Sequence, residues 1–263
     1  MTTGTRLDPI LDAVRRRSAA RGRSLADLRA EAAPDPERRR RFVDALRADA
    51  PSLIAECKRR SPSAGTLAEE PDLLERAEAY ARGGANALSV LTEPDHFGGS
   101  PEDLARVGAA GLPRLRKDFL LDEESVLESF IMGAEAVLLL AVCLPDPLLS
   151  ELRAVAGELG LAVLVEAHDE GELERALAVA PDCVGVNARD LMTFEVNLAT
   201  VERLLPRIPE CFVRVAESGI RGVDELRRVR AAGADAALVG AALMRASSPE
   251  DTLRTWREAL DGP

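Results

Sequence analysis

Two kinds of segment alternate along the chain from about residue 52 onward. The first kind is a short, nearly continuous apolar run that is rich in Val, Leu and Ile. Such a run without polar alternation is typical of a strand buried on both faces, as in a parallel sheet. Eight of these runs occur: Ser52–Cys57, Ala87–Leu91, Pro113–Leu115, Ala136–Ala141, Ala162–Val165, Cys183–Val186, Cys211–Val215 and Ala236–Val239.

The second kind of segment is longer and charged, with apolar residues at helical spacing. Examples are Leu73–Arg82, Ser125–Met132, Leu148–Leu159, Glu170–Val179, Val201–Leu205 and Asp224–Ala232. Ser100 and Ser248 are each followed by Pro-Glu-Asp, which predicts two further helices with serine as the N-cap. Residues 1–50 contain amphipathic helical stretches as well, among them Pro36–Arg47.

The order of these segments predicts the fold. Strand-like runs recur at a spacing of roughly 25 residues with helical segments between them, which indicates repeated βα units. Eight units can close into a (β/α)8 TIM barrel of about 250 residues. A doubly wound open sheet is the alternative, but no Gly-rich nucleotide-binding pattern follows the first strand. We therefore expect an α/β protein with one (β/α)8-barrel domain over residues 1–263, in which residues 1–50 form a helical N-terminal extension.

Composition limits the partners of this chain. The net charge is −11, whereas a nucleic-acid-binding protein usually carries a basic face. The longest apolar run, Ala136 to Leu144, is far shorter than the roughly 20 residues that a membrane span needs. The N-terminal sequence has no apolar signal-peptide core. We expect a cytoplasmic protein, a monomer or weak homo-oligomer, with no nucleic-acid or membrane partner.

Cysteine and histidine usage argues against metal chemistry. The cysteines, which show no CxxC spacing, are Cys57, Cys143, Cys183 and Cys211. Because all of them fall in apolar segments, we expect buried small hydrophobic residues rather than disulfides or metal ligands. His96 and His168 are the only histidines, so neither a histidine metal site nor a catalytic triad is expected.

Polar residues stand at several predicted strand ends. They are Glu56, Lys58 and Ser61 after the first strand, Lys117 and Asp118 after the third, Glu166 after the fifth, Asn187 and Arg189 after the sixth, and Glu217 and Ser218 after the seventh. The carboxyl ends of the strands form the active-site face of a TIM barrel. A charge at an apolar strand end is costly unless it is paired. Glu56 and Lys58 share one face of their strand, so they can pair with each other.

Lysine occurs only at two of these strand ends. Of the 34 lysine and arginine residues, only Lys58 and Lys117 are lysines. Arginine stays protonated, whereas lysine is compact and can give up a proton where its environment favours that. The alternative interpretation is that both lysines are ordinary surface charges. Their shared position on the expected catalytic face instead favours a role in proton transfer.

The last two strands carry a signal for phosphate. Ser218-Gly219 follows the seventh strand, and Gly240-Ala241 follows the eighth at the start of a predicted short helix. Backbone N–H groups at this place in the barrel commonly bind phosphate. Each glycine alone could be an ordinary turn residue, but together they favour a phosphorylated ligand.

Six segments, taken in order, resemble the motifs of the indole-3-glycerol-phosphate synthase family. They are Ile54–Gly65, Leu91–Glu93 with Phe97–Ser100, Leu115–Phe119, Val165–Glu166, Val186–Leu191 and Ala216–Ile220. The resemblance implies a cofactor-free carboxy-lyase of tryptophan biosynthesis with a small phosphorylated substrate, 1-(2-carboxyphenylamino)-1-deoxyribulose 5-phosphate. In that reaction the aromatic carbon bearing the carboxylate attacks the ribulose carbonyl, and carbon dioxide and then water leave.

The resemblance also implies a role for each matching residue. Lys117 is the general acid on the carbonyl oxygen, and Glu166 and Lys58 serve the acid–base steps of dehydration. Glu56 positions Lys58. The substrate-binding residues are Ser61, Phe119, Asn187, Arg189 and Glu217, and the phosphate-binding residues are Ser218, Gly219, Gly240 and Ala241. No metal and no cofactor are implied.

The chain departs from the family pattern at a few positions. His96 stands where a second Phe is common, Ala188 replaces a common Asn, and Ala241 replaces a common Glu or Ser. None of these changes removes a proposed catalytic group. We expect His96 to be a solvated loop residue rather than part of the pocket wall.

Two other functions are left open at this point. An isomerase acting on phosphoribosylanthranilate would need a Cys/Asp acid–base pair, and Cys57 points away from the face shared by Glu56 and Lys58. A non-catalytic ligand-binding barrel would have no reason to keep Lys58, Lys117 and Glu166 at one rim.

Overall fold

A computed structural model describes residues 7–49, 51–61, 65, 66, 72–190, 193 and 195–261. Eight parallel strands close into a barrel in which each strand pairs with its neighbours in sequence and the last pairs with the first. The strands are β1 (Ser52–Cys57), β2 (Ala87–Leu91), β3 (Arg114–Lys117), β4 (Ala136–Leu140), β5 (Ala162–Ala167), β6 (Cys183–Asn187), β7 (Val213–Glu217) and β8 (Ala236–Val239). The predicted (β/α)8 TIM barrel is confirmed.

Helices surround the barrel and precede it. The extension contains α1 (Asp8–Ala19), α2 (Leu25–Glu31) and α3 (Pro36–Arg47). The barrel helices are α4 (Leu73–Arg82), α5 (Pro94–Phe97), α6 (Pro101–Arg106), α7 (Glu123–Ile131), α8 (Asp146–Leu159), α9 (Glu170–Ala178), α10 (Leu198–Leu204), α11 (Val223–Ala231), α12 (Ala241–Arg245) and α13 (Pro249–Asp261). Ser100 caps α6 as predicted, because its Oγ accepts the Asp103 N–H at 3.3 Å.

Four strands end later than the apolar pattern indicates, among them β5 at Ala167 and β6 at Asn187. β3 extends to Lys117 rather than ending at Leu115, and β7 extends to Glu217 rather than ending at Val215. The charged residues remain in the strands because each has a partner of opposite charge. Arg116 NH2, for example, lies 2.9 Å from Asp118 Oδ2. The reactive side chains are therefore held by sheet hydrogen bonding rather than by loops.

Side chains alternate between the barrel lumen and the layer of helices outside it. Ile54 lies in the lumen cluster, whereas Ala55 and Cys57 belong to the outer cluster. The position of Cys57 outside the lumen, expected from the sequence, is confirmed. It removes the cysteine that the isomerase alternative would need.

Helix α3 closes the amino-terminal end of the barrel. Its Phe42 and Leu46 are fully buried in the lumen cluster. They meet a layer of mostly small residues at the strand starts: Ala87, Ala136, Ala162 and Ala236. The small side chains leave room for the two large ones, so one helix of the extension completes the core.

Helix α1 reaches the opposite rim. Arg17 NH1 lies 3.1 Å from Oε1 of the fully buried Glu93, which directly precedes α5. Arg21 Nε lies 2.9 Å from Glu128 Oε1 on α7. The extension therefore contacts the barrel at both ends.

The cysteines only partly follow the expectation. All four are free thiols; Cys57 and Cys183 are buried, Cys143 is partly buried and Cys211 is exposed. The expectation was wrong for Cys211 because β7 begins two residues later, at Val213. Burial raises the pKa of Cys57 to about 12. Within the described ranges, no helix is long and apolar enough to cross a membrane.

Candidate active site

A cavity of about 840 Å³ opens at the carboxyl ends of the strands. The predicted site residues that line it are Glu56, Lys58, Lys117, Phe119, Glu166, Asn187, Arg189, Glu217, Ser218, Gly219, Gly240 and Ala241. Of the predicted set only Ser61 is missing, and its side chain lies outside the described residues. The strand ends therefore bring the predicted residues to one place.

Lys117 stands between two carboxylates at the centre of the site. Its Nζ lies 3.0 Å from Glu166 Oε2 and 2.9 Å from Glu217 Oε2. Both glutamates are almost completely buried, whereas the Lys117 side chain keeps 17% of its exposure toward the cavity. The ammonium is thus the member of this trio that a ligand in the cavity reaches first.

The protonation states of these three groups depend on one another, because the Lys117 ammonium lies between the two buried carboxyl groups. Burial disfavours the charge on Lys117, but the carboxylates of Glu166 and Glu217 outweigh it and raise the pKa of Lys117. The pKa of Glu166 is well below its usual range despite burial, because of the ammonium of Lys117 and the His168 ring. Burial raises the pKa of Glu217 to about 8, and the nearby charge of Glu166 adds to that effect. At neutral pH the trio is therefore an ammonium, a carboxylate and a largely protonated carboxyl.

Gly185 makes room for this trio. A Cβ at Gly185 on β6 would overlap with Oε1 of Glu217 and lie 3.3 Å from its Cδ. Because β6 and β7 are neighbours in the barrel, any side chain here would push the Glu217 carboxyl out of its place. The small residue is thus a requirement of the charge cluster rather than of a turn.

Glu56 on β1 and Lys58, the first residue after β1, form a second ion pair, as predicted from their shared face. Gly240, at the end of the adjacent β8, lies beside this pair. A Cβ at Gly240 would overlap with Glu56 Oε1 and lie 2.8 Å from Lys58 Nζ. The Lys58 ammonium therefore lies next to the backbone that was predicted to bind phosphate.

Glu166 Oε1, the oxygen that does not face Lys117, has partners of its own. Asn187 Nδ2 donates to Glu166 Oε1 at 2.9 Å, and His168 Nε2 lies 3.1 Å from the same oxygen. The His168 contact is an ion-pair distance without the alignment of a hydrogen bond. Sequence reasoning missed His168 as a functional residue. The available signal was its spacing of two residues from Glu166 at a strand end.

An apolar wall faces the charged groups. The rings of Phe97 and Phe119 lie with centroids 6.4 Å apart at an interplanar angle of 39°. Leu138, Leu140 and Leu238 close the floor of the cavity. Phe97 was not among the predicted site residues, although it stands in one of the segments that carry the family resemblance. Such a wall suits a planar aromatic group.

His96 is a helix residue rather than the loop residue we expected. It lies in α5, keeps 29% of its side-chain exposure, and has Nδ1 3.4 Å from Glu93 Oε1. It is not among the residues that line the cavity. His96 therefore takes no part in the cavity wall, as expected.

The other end of the cavity is suited to an anion. Ser218 and Gly219 both have left-handed backbones, with φ of 64° and 78°. Successive backbone N–H groups in a turn after a strand can form a concave site for an anion. Arg221, Arg245 and Lys58 also line the cavity. A phosphate here would meet backbone donors and cationic side chains.

Taken together, the cavity has an aromatic wall, a central proton donor flanked by carboxylates, and an anion-binding end. An ammonium that points into a nearly closed site can protonate an oxygen as negative charge develops on it. A buried carboxylate such as that of Glu166 is a group that can accept a proton in the same site. The arrangement suits a substrate with an aromatic ring, a carbonyl and a phosphate.

Comparison with known proteins agrees with this geometry. A sequence model of a family described as indole-3-glycerol phosphate synthase matches residues 8–256. An indole-3-glycerol phosphate synthase from Nocardioides sp. is 49% identical over 245 residues, which is 93% of each chain. The enzyme of that name from Chromobacterium violaceum is 46% identical over 241 residues, 90% of this chain and 91% of its own.

Solved structures with low sequence identity share the fold. Thiamine phosphate pyrophosphorylase from Pyrococcus furiosus superposes with a TM-score of 0.61 at 17% identity, covering 84% of this chain and 98% of that one. Orotidine 5'-phosphate decarboxylase from Pyrococcus horikoshii gives a TM-score of 0.61 at 14% identity, covering 80% of this chain and all of that one (100%). At this identity they support the barrel alone.

Proposed function

This chain belongs to the indole-3-glycerol phosphate synthase family, and we propose how its pocket residues divide that family's reaction among them. The enzyme is a carboxy-lyase of tryptophan biosynthesis. It closes the ring of 1-(2-carboxyphenylamino)-1-deoxyribulose 5-phosphate and removes carbon dioxide and water to give indole-3-glycerol phosphate.

The substrate lies along the cavity with its two ends in different surroundings. The aromatic ring packs against Phe119, and Asn187 and Arg189 contact the anthranilate side. The phosphate binds at Ser218, Gly219, Gly240 and Ala241, with the Lys58 ammonium close by. Lys117 lines the same cavity as both sets of residues, which supports an orientation with the ribulose carbonyl beside its ammonium. Ser61 and Glu217 complete the set of substrate contacts.

Ring closure is the first step. The aromatic carbon that bears the carboxylate bonds to the carbonyl carbon, and the carbonyl oxygen takes a proton from Lys117 to become a hydroxyl. The raised pKa of Lys117 supports this role, because the side chain carries its proton before substrate binds. A donor already in place stabilises the developing alkoxide without rearrangement.

Decarboxylation and dehydration follow. Carbon dioxide leaves while its bonding electrons stay with the ring system, and the new hydroxyl then leaves as water. Departure of that hydroxyl needs a proton from Lys58, and formation of the double bond needs a base, which is Glu166. The ionised state of Glu166 supports the base role. Glu56 positions Lys58 through their ion pair.

The wider setting is also a proposal. A net charge of −11 and a small phosphorylated substrate support a cytoplasmic enzyme without nucleic-acid or membrane partners. We propose that it works as a monomer or weak homo-oligomer, because every group assigned above comes from one chain. Residues 1–263 then act as one domain.

One observation carries the division of roles: the Lys117 ammonium at 3.0 Å and 2.9 Å from two buried carboxylates at the mouth of the barrel. The test is to mix purified protein with the substrate, with no metal or cofactor added, and to follow indole fluorescence. Product should grow at a rate proportional to enzyme, with carbon dioxide released in equal amount. Tight binding without product would overturn the proposal in favour of a ligand-binding barrel.

A further inference from the structure

We propose that His168 is a positioning residue that orients Glu166 and keeps it in the carboxylate form throughout the reaction. The proposal rests on the function proposed above, in which Glu166 is the base of the dehydration step. His168 is not among the residues that line the cavity, so it acts on the reaction only through Glu166.

The geometry forms a chain of three groups. His168 directly follows β5, and its Nε2 lies 3.1 Å from Glu166 Oε1. On the other side of the ring, Nδ1 lies 2.9 Å from Glu172 Oε2 on α9. The same Glu172 oxygen accepts the His168 backbone N–H at 2.9 Å. The Glu172 carboxylate therefore holds the ring at Nδ1, and Nε2 on the other side of the ring lies at ion-pair distance from Glu166.

Glu166 is held on both of its oxygens. Oε2 faces Lys117, and Oε1 faces Asn187 and His168. Asn187 is neutral, so His168 is the second source of positive charge on this carboxylate. Glu172 alone would supply a partner for a histidine that served only in packing. The second contact, with Glu166, is what connects His168 to the site.

The surroundings keep the ring charged. Burial disfavours the imidazolium, but Glu166 and Glu172 outweigh burial and raise the pKa of His168 to about 10. Besides Lys117 and Glu217, Cys143 after β4 also lies close to these carboxylates, and burial raises the pKa of its thiol to about 12. The thiol therefore adds no charge near neutral pH.

The positive charge on His168 becomes important once Lys117 has given up its proton. When Lys117 donates its proton to the carbonyl oxygen, it becomes neutral, and Glu166 loses the cation on Oε2. A buried carboxylate without a cation tends to take up a proton. The imidazolium on Oε1 is unchanged by that step, so Glu166 remains available as a base for dehydration.

The test is the pH dependence of kcat in His168→Gln. The glutamine amide is polar and similar in length but carries no charge, so the variant removes the ion pair with Glu166 Oε1. Loss of an opposite charge at this distance raises a carboxyl pKa by about one to three units, so the acidic limb of the kcat profile should move up by that amount. KM should stay close to that of the wild type, because the side chain does not reach the substrate.

His96→Gln is the matched control. His96 is the other histidine of the chain, is also paired with a glutamate, and does not contact a site carboxylate. Its profile should match the wild type. Thermal unfolding midpoints of both variants separate effects on folding from effects on the base.

A second variant keeps the proposal testable if His168→Gln fails to fold. Glu172→Gln removes the group that holds the ring and should shift the acidic limb in the same direction by a smaller amount. An unmoved acidic limb in the folded variants, or the same shift in His96→Gln, would overturn the role of His168. Absence of product from the wild type would instead refute the proposed function itself.

Discussion

Replacing Lys117 by methionine isolates the proton donor. Methionine keeps the unbranched stem but has no ammonium, so Glu166 and Glu217 face each other without the cation that lies 3.0 Å and 2.9 Å from them. Lys117 contacts the reacting carbonyl in our assignment, whereas the phosphate lies toward Lys58. The change should therefore reduce kcat far more than it raises KM.

The magnitude follows from two effects. Loss of a positioned general acid costs about 10² to 10⁴ in rate. Loss of one partner of a buried ion pair costs about 3–5 kcal/mol of unfolding free energy when the remaining charge cannot be neutralised. Glu217 is already largely protonated at pH 6, because its pKa is raised to about 8, so only Glu166 loses an opposite charge there, whereas both carboxyl groups are affected at pH 9. The loss of stability should therefore be smaller at pH 6 than at pH 9.

The assay measures kcat and KM from indole fluorescence, with urea unfolding at both pH values. Arg114→Met is the control, because it removes a cation from the opposite end of the same strand. Arg114 Nε lies 3.2 Å from Glu135 Oε2, at the start of β3. That variant should lose stability but keep kcat. A folded Lys117→Met enzyme with kcat within tenfold of the wild type would refute the proton-donor assignment.

Three further variants test separate parts of the argument. Gly240→Ala has an allowed backbone, with φ of −116°, but its Cβ would displace the Glu56–Lys58 pair, so kcat/KM should fall by about 100-fold. Glu217→Gln should match the wild type in stability near pH 5 and exceed it by a few kcal/mol near pH 9 in urea unfolding, an estimate from the raised pKa. Phe42→Ala should lower the unfolding free energy by about 3–5 kcal/mol without changing kcat of the folded enzyme.

The sign of the Glu217 prediction comes from proton linkage. Between its ordinary value of 4.5 and about 8 the folded protein binds the proton that the unfolded chain has lost. The unfolding free energy of the wild type therefore falls as pH rises through that window, and a glutamine has no such slope. Equal pH slopes in the two proteins would contradict the raised pKa.

The other two variants have their own checks. Gly22→Ala is the control for Gly240→Ala, because a Cβ at Gly22 would meet nothing within 4 Å. Unchanged kinetics in Gly240→Ala would show that the Glu56–Lys58 pair tolerates displacement. A fall in kcat of folded Phe42→Ala would mean that the lower end of the barrel influences the site.

Much of the fold could be predicted from the sequence because a parallel barrel buries its strands on both faces. Runs such as Ala136–Leu140 have no alternation to obscure them, and their spacing fixes the number of units. The strand ends at Lys117 and Glu217 were harder to predict. A charged residue normally ends a buried strand. Here the strands continue through Lys117 and Glu217 because each of these residues has a partner of opposite charge on another strand.

The same reason explains which site residues were missed. Gly185 and Phe97 each depend on contacts that form only when the barrel closes, whereas His168 was missed although it stands two residues after Glu166. Gly185 matters because Glu217 fills the space beside it, and this follows from the pairing of β6 with β7. Local pattern contains no record of such contacts.

The rarity of lysine gains a physical meaning from these contacts. The barrel uses arginine for its structural ion pairs, such as Arg116 with Asp118 and Arg114 with Glu135, where a permanent charge and a broad fork are an advantage. Neither Lys58 nor Lys117 stands in such a place. Each is a compact ammonium beside a carboxylate, and a glycine on a nearby strand keeps space open for that carboxylate. A guanidinium at Lys117 would keep the charge, but its planar fork could not place a compact ammonium at the same point between the two glutamates. Lys117→Arg should therefore restore the stability lost in Lys117→Met without restoring kcat, and recovery of kcat would mean that charge alone, rather than proton transfer, drives ring closure.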